Sequence, residues 1–266
     1  MRLHGAAVPL VSSADGVVLM ACRIRIDRLL VERGLFESRA QAQTAIAAGR
    51  VTADEVVVAK PSQEISADAA LRAEPAHPYV SRGGVKLAAA LDHFRFDPRF
   101  DPCGRVCLDV GASTGGFTEV LLARGARRVY AVDVGRRQLH PSLQERAEIV
   151  SIEATDIRVL DPARLAERPD FIVVDTSFIS LKLVLPPVFA LARTPAQLLA
   201  LIKPQFEVGR RHGKKGIVRD PLVHAAACDE IAAFVSSHGW RVAEIVPSCI
   251  TGGDGNREFF IAADRG

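Results

Sequence analysis

The sequence predicts an α/β protein, a Rossmann-like doubly wound sheet of seven strands with the last one antiparallel, preceded by a small α+β module. Three observations carry this. From residue 104 onward, strand and helix patterns alternate. Runs such as Phe171-Ile-Val-Val174 and Leu198-Leu-Ala-Leu-Ile202 are apolar on both faces, as strands buried in a parallel sheet are. The chain closes with two strand patterns and no helix between them, which makes the final pair antiparallel.

The 266 residues are 48% hydrophobic and 24% charged, enough for a catalytic domain with a small appendage. Residues 1–22 carry no periodic pattern and read as a disordered extension. Arg2 precedes an apolar stretch, but Ser12, Ser13 and Asp15 interrupt it, unlike a signal peptide, and Met20 directly precedes the first patterned segment. The longest stretch free of Asp, Glu, Lys and Arg is the twelve residues Leu3 to Ala14, well short of a membrane span.

Residues 23–77 form the small module. Leu29 and Leu30 lead to Gly34, a helix stop, and Ser38-Arg-Ala-Gln41 matches a capping box opening a second helix that runs to Gly49. Short strands follow at Arg50–Thr52, Val56–Val58 and Leu71–Ala73. The turn Ala53-Asp-Glu55 lacks the glycine expected of a tight hairpin. Pro75 and Pro78 mark a linker, and residues 78–103 read as that linker plus a lead-in helix. In residues 104–266, strands are expected at Val106–Val110, Val129–Val134, Ile149–Ile152, Phe171–Val174, Leu198–Ile202, Val242–Val246 and Glu258–Ala262. Helices are expected at Phe117–Arg124 and Leu222–His238, with Trp240 and Phe94 in the core.

The net charge of +3 is too small to announce a nucleic-acid partner. Its distribution says more. Lys203, Arg210, Arg211, Lys214, Lys215 and Arg219 face one acid, Glu207, in a single stretch that also holds an exposed His212. Cys22, Cys103, Cys107, Cys228 and Cys249 include no Cys-x-x-Cys pair, so we expect reduced thiols, a cytoplasmic protein and no metal site.

Leu108-Asp-Val-Gly-Ala-Ser-Thr-Gly-Gly-Phe117 is a strand running into a glycine turn and a helix, a place for a ligand at a helix N-terminus. Asp109, Gly111, Ala112, Ser113, Thr114, Gly115, Gly116 and Phe117 are therefore candidate cofactor residues. Asp133 ends the second strand, 24 residues after Asp109, where an acid commonly binds ribose hydroxyls. Asp156 follows the third strand within reach of an adenine amino group, and Asp175 follows the fourth. A glycine turn with acids at these strand ends indicates a nucleoside cofactor, either NAD or S-adenosylmethionine. The antiparallel final pair favours the second.

Four further residues stand where such a fold gathers its chemistry: Lys86, Asp175, Lys203 and Glu258. The segments around them are Ser81-Arg-Gly-Gly-Val-Lys86, Asp175-Thr-Ser-Phe-Ile-Ser180, Lys203-Pro-Gln-Phe-Glu207 and Gly255-Asn-Arg-Glu-Phe-Phe260. With the glycine turn, these motifs resemble those of the TlyA family, ribosomal-RNA ribose methyltransferases long labelled hemolysins. The likeness extends over residues 23–263, and the second domain also resembles the FtsJ-like 2′-O-methyltransferases. The resemblance implies a class I methyltransferase fold, S-adenosyl-L-methionine as cofactor and a Lys-Asp-Lys-Glu catalytic tetrad matched at Lys86, Asp175, Lys203 and Glu258. It implies that residues 23–77 are an RNA-binding module of the ribosomal-protein-S-four type. Being like the shorter members, the chain is expected to methylate a cytidine of large-subunit RNA, with ribosomal RNA or a ribosomal subunit as partner. Candidate RNA contacts are Arg23, Arg25, Arg28, Arg33, Arg39, Arg50 and Arg82, with Arg210, Arg211, Lys214 and Lys215 in the basic stretch. A ribose hydroxyl is a poor nucleophile at neutral pH, so a lysine made less basic by burial and a second cation can serve as its base. Lys203 is the candidate, with Lys86 as the neighbouring cation. A membrane-active cytolysin, an NAD-dependent oxidoreductase and a catalytically silent RNA-binding protein are the competing readings.

Overall fold

The computed structural model describes residues 23–208 and 216–266, which fall into two compact units divided after Pro78. The expectations for residues 1–22, and for Arg210, Arg211, His212, Lys214 and Lys215, lie outside the described residues.

The first unit begins with β1 (Arg23–Arg25), helix α1 (Ile26–Glu32) and helix α2 (Arg39–Ala47). Ser38 caps α2 by accepting from the Gln41 backbone N–H at 3.3 Å. The reciprocal bond lands one residue early, since the Gln41 side chain accepts from the N–H of Glu37. Strands β2 (Val51–Ala53), β3 (Val56–Val57) and β5 (Leu71–Ala73) make one antiparallel sheet, and β4 (Glu64–Ser66) pairs with β1. The β1–β4 pair was not legible in the sequence, because three-residue strands with charged ends show no period. The β2–β3 turn puts Asp54 and Glu55 at φ of +48° and +66°, the left-handed region that glycine adopts freely. Ile26, Leu30, Ala42, Ala45 and Val51 form the unit's core, none with accessible surface.

The second unit opens with α3 (Arg82–His93), which packs on α4 (Gly116–Ala123), so the segment read as a lead-in helix is part of the folded body. The sheet comprises β6 (Val106–Val110), β7 (Arg128–Val132), β8 (Ile149–Ile152), β9 (Phe171–Val174), β10 (Ala196–Ile202), β11 (Arg241–Pro247) and β12 (Phe259–Arg265). Its order is β11-β12-β10-β9-β6-β7-β8. All neighbours are parallel except those of β12, which runs antiparallel to both β10 and β11. Several strand ends move by one to three residues from the sequence reading, most at β12, whose last residues Asp264 and Arg265 are polar.

Side chains alternate across this sheet. Leu108, Val110, Ile172 and Val174 join the core under α6 (Leu181–Leu191) and α8 (Pro221–Ser237). Cys107, Phe171, Val173 and Leu199 join the core on the opposite face, under α3 and α4. Trp240 and Phe94 are buried. β6 has β7 on one side and β9 on the other, so the connections leaving its neighbourhood diverge there. Ligand crevices form outside the strand ends at such a switch point.

Candidate active site

The glycine turn after β6 is built for close approach. A Cβ on Gly111 would lie 2.5 Å from the backbone oxygen of Asp175, so only glycine lets the ends of β6 and β9 meet there. The N–H groups of Gly111 and Ala112 both donate to the Val132 carbonyl, at 2.9 and 3.2 Å. Asp133 follows β7 and accepts from the N–H of Ser113 at 2.8 Å and of Gly135 at 2.7 Å, tying two loops together. Gly115, at φ +93°, begins α4. The Asp109 Oδ1 and Thr176 Oγ1 atoms are buried here without a hydrogen-bond partner.

Some candidate cofactor residues support this cradle from beneath. Asp109 has no accessible surface, and its Oδ2 accepts from the Thr118 hydroxyl at 2.6 Å. Burial pushes its carboxyl up to about 7, with the Thr118 bond opposing. The Phe117 ring is buried and stacked on Phe260. Gly116 faces α3: a Cβ there would stand 2.2 Å from Ser81 Oγ and 2.8 Å from the backbone nitrogen of Gly84. The side chains of Asp109 and Phe117, and one face of Gly116, are thus engaged in packing. Ala112 is buried too. Asp156 caps a short turn and is held by Arg158 at 2.5 Å, which keeps its carboxyl below the ordinary range. Glu153, not singled out in the sequence, accepts from the consecutive N–H groups of Arg137, Gln138 and Leu139 and fixes the loop after β7.

The four tetrad candidates come together as two ion pairs, Lys86–Glu258 buried and Lys203–Asp175 with a partly buried carboxylate. Lys86 Nζ lies 2.5 Å from Glu258 Oε2, and Lys203 Nζ lies 2.6 Å from Asp175 Oδ1. The pairing reaches from α3 to the residue before β12, and from the end of β10 to the end of β9. Each ammonium has its own carboxylate, so the two lysines do not meet as bare like charges. Lys203 also donates to Ser177 Oγ at 2.8 Å.

Lys86, Lys203 and Glu258 line one cavity of about 540 Å³, together with Ser177, Phe178, Gln205, Phe206 and Asp254. Sequence reasoning missed the aromatic wall. Phe178 is 91% exposed at φ +65°, with its ring 5.2 Å from that of Phe206. A large exposed aromatic in strained backbone is a functional feature by expectation. The helical turn α7 (Pro204–Glu207) carries Phe206, and Glu207 fastens it by accepting from the Ser180 hydroxyl and the Leu181 N–H. That accounts for the end of the Lys-Pro-Gln-Phe-Glu motif.

Among the described residues, the basic candidates are each engaged within the chain. Arg25 and Arg39 both reach the buried Asp27 carboxylate, at 3.0 and 2.7 Å. Arg28 pairs with Glu32 and Arg50 with Glu74, while Arg23 and Arg33 donate to the carbonyls of Glu64 and Ala69. Arg82 donates to Thr251 O at 2.6 Å.

With the geometry laid out, comparison with known proteins is decisive. Residues 79–265 match the FtsJ-like methyltransferase model, and residues 24–71 match the S4 domain. The chain belongs to the FtsJ-like methyltransferase family. It is 43% identical, over 91% of its own length and 90% of the relative's, to the 16S/23S rRNA (cytidine-2′-O)-methyltransferase TlyA of Mycobacterium tuberculosis. It is 34% identical to Hemolysin A of Brachyspira hyodysenteriae, over 89% of this chain and 98% of the relative. A solved hemolysin-titled structure from Streptococcus thermophilus superposes with a TM-score of 0.72 at 37% identity, covering 92% of this chain and 89% of that one. This FtsJ-like methyltransferase uses S-adenosylmethionine. The cradle fits that group, because Gly111 has no side chain to fill it, Asp133 follows β7 beside it and the buried Thr176 Oγ1 there lacks a partner. The S4 domain makes RNA the substrate class. Among the described residues, no helix is long and apolar enough to cross a membrane.

Proposed function

We propose that this methyltransferase modifies the ribose 2′-hydroxyl of a cytidine in large-subunit ribosomal RNA, acting on the RNA or on a ribosomal subunit. One observation carries the reading: two lysine–carboxylate pairs form at the strand ends that carry the cofactor cradle, and Lys86, Lys203 and Glu258 of those pairs line one cavity. Bound S-adenosylmethionine supplies an electrophilic methyl group. Asp133 would accept its ribose hydroxyls, the turn Gly111–Gly115 would follow its backbone, and Asp156 would face its adenine.

The remaining work falls to the tetrad. The target ribose enters the cavity past Phe178, whose exposed ring suits a nucleobase turned out of its stack. In its uncharged amine form, Lys203 receives the 2′-hydroxyl proton on its Nζ lone pair and becomes the ammonium, while Asp175 and Ser177 hold that nitrogen in place. Lys86, fixed by Glu258, stabilises negative charge gathering on the oxygen. The arginines of the first unit and the basic stretch 210–215 would contact phosphates, which position the RNA without specifying its sequence.

Purified protein, labelled S-adenosylmethionine and either naked ribosomal RNA or isolated subunits test this reading. The expected label is on a ribose oxygen and leaves the following phosphodiester resistant to alkaline hydrolysis. Label confined to a base, or no label on either substrate, contradicts it.

A further inference from the structure

Asp254 stands on the cavity wall beside the tetrad and has no part in the chemistry proposed above. It belongs to the glycine loop before β12. Gly252 sits between it and Glu258: a Cβ there would lie 2.9 Å from Asp254 Oδ1 and 2.6 Å from Glu258 Oε1. The two carboxylates therefore reach the cavity from one short loop only because residue 252 has no side chain.

Three donors aim the Asp254 carboxylate. Its Oδ1 accepts from the Asn256 backbone N–H at 3.0 Å, and its Oδ2 from Asn256 Nδ2 at 2.7 Å and Gln205 Nε2 at 3.3 Å. Asn256 is itself buried and anchored to Val218 N–H and Gly216 O, so the carboxylate is held by a rigid support. A carboxylate has about four acceptor directions. Three are taken, which leaves acceptor capacity on an exposed carboxylate that lines the same cavity as the Phe178–Phe206 pair. Partial burial opposes its charge, but the Asn256 backbone and side-chain hydrogen bonds, with a smaller contribution from Lys203, hold its carboxyl below the ordinary range.

An ionised carboxylate only accepts hydrogen bonds. Beside a nucleobase it favours an exocyclic amino group, as on cytosine N4, and opposes the carbonyl oxygen that replaces it in uracil. We infer that Asp254 is a specificity residue, accepting a hydrogen bond from the amino group of the target base and thereby selecting an amino-bearing pyrimidine over its oxo counterpart. This rests on the proposed ribose methylation, for it is the same cavity that takes the nucleotide.

A purely structural role for Asp254 makes a different prediction. Asparagine can accept from the Asn256 backbone N–H as aspartate does, so Asp254→Asn keeps that bond of the turn, gives up the bonds from Asn256 Nδ2 and Gln205 Nε2, and replaces an acceptor-only group by one that can also donate. The test uses ribosomal RNA molecules differing only at the mapped methylated nucleotide, cytidine in one and uridine in the other. Single-turnover methylation by the wild-type protein should favour cytidine by about tenfold to a hundredfold, the range of one good base contact. In Asp254→Asn that ratio should fall at least about tenfold, with uridine methylated faster than by wild type. An unchanged ratio overturns the inference, whatever happens to the overall rate. A second arm needs no variant: N4,N4-dimethylcytidine at the same position has no amino hydrogen, and wild-type protein should methylate it at least about tenfold more slowly than cytidine. Equal rates overturn the inference. Failure of the wild type to methylate any ribose removes the parent reading and this one with it, an outcome distinct from equal rates on all three RNAs.

Discussion

The carboxylate of Asp27 has no accessible surface, yet Arg25, Arg39 and Gln43 all donate to it. Arg25 foremost, with Arg39 and Gln43, holds its carboxyl well below the usual carboxylate range against the opposing effect of burial. Replacing it with a neutral amide leaves two half-exposed guanidinium groups without their shared anion. Asp27→Asn should therefore destabilise the first unit by about 1.5–3 kcal/mol at neutral pH, the range for a hydrogen bond to a charged group. The pH dependence follows from the sign of the shift. The folded-state value lies below the unfolded one, near 3.9, so the stabilisation is complete above that pH and is lost as pH falls. Thermal melts of both proteins should show the gap at pH 7 and its narrowing below about pH 4. A constant gap would mean that Asp27 acts through shape alone. The same geometry bears on RNA contact, because Arg25 and Arg39 keep their remaining donors beside an acid that fixes their orientation.

At the level of elements, the packing of α3 on α4 explains why glycines precede Lys86. Gly84 could carry no Cβ, since it would lie 2.5 Å from Tyr79, and Gly116 could carry none because of the Gly84 backbone. The close approach is what brings the first turn of α3, and with it Lys86, to Glu258. Gly116→Ala forces that contact open, and the obstructing atom is backbone, which cannot rotate away. Overpacking of this kind costs about 1–3 kcal/mol. The expected result is a fall of tenfold or more, on the order of 1.4 kcal/mol, in single-turnover methyl transfer, with cofactor affinity reduced less. Equal losses in both would place the damage in the cradle instead. In the first unit, Glu55 at φ +66° is the opposite case. A side chain in the left-handed region costs about 1 kcal/mol, so Glu55→Gly should raise the melting temperature of the first unit. No gain would show that the hairpin is limited by its strand pairing rather than its turn.

Across the whole molecule, what was legible in the sequence were features with a period or a strand end. Apolar alternation located the sheet, and acids or lysines immediately after a strand gave Asp133, Asp175 and Lys203. Pairing was less legible. That Lys86 meets Glu258, 172 positions away, follows from the glycine contact of α3 with α4 and not from local pattern. Phe178 escaped because a positive φ and an exposed ring leave no compositional trace. β12 runs two residues beyond its apolar run because Asp264 is neutralised by Arg99 and Arg241, a network the strand pattern cannot show. Asp109 is a cofactor candidate as part of the glycine-turn motif, and its place inside β6 turns it toward Thr118.

The central claim is that Lys203, held by Asp175 and Ser177, takes the proton of the ribose hydroxyl. Single-turnover methylation by Lys203→Ala and Lys203→Arg, beside calorimetric cofactor affinity, tests it most directly. Loss of a general base lowers the rate by about 10²–10⁴-fold. The alanine variant should show that loss with cofactor affinity nearly unchanged, and arginine should restore little, since a guanidinium keeps its proton. Turnover by Lys203→Arg close to that of the wild type would contradict the account and leave Lys203 as a positioning charge.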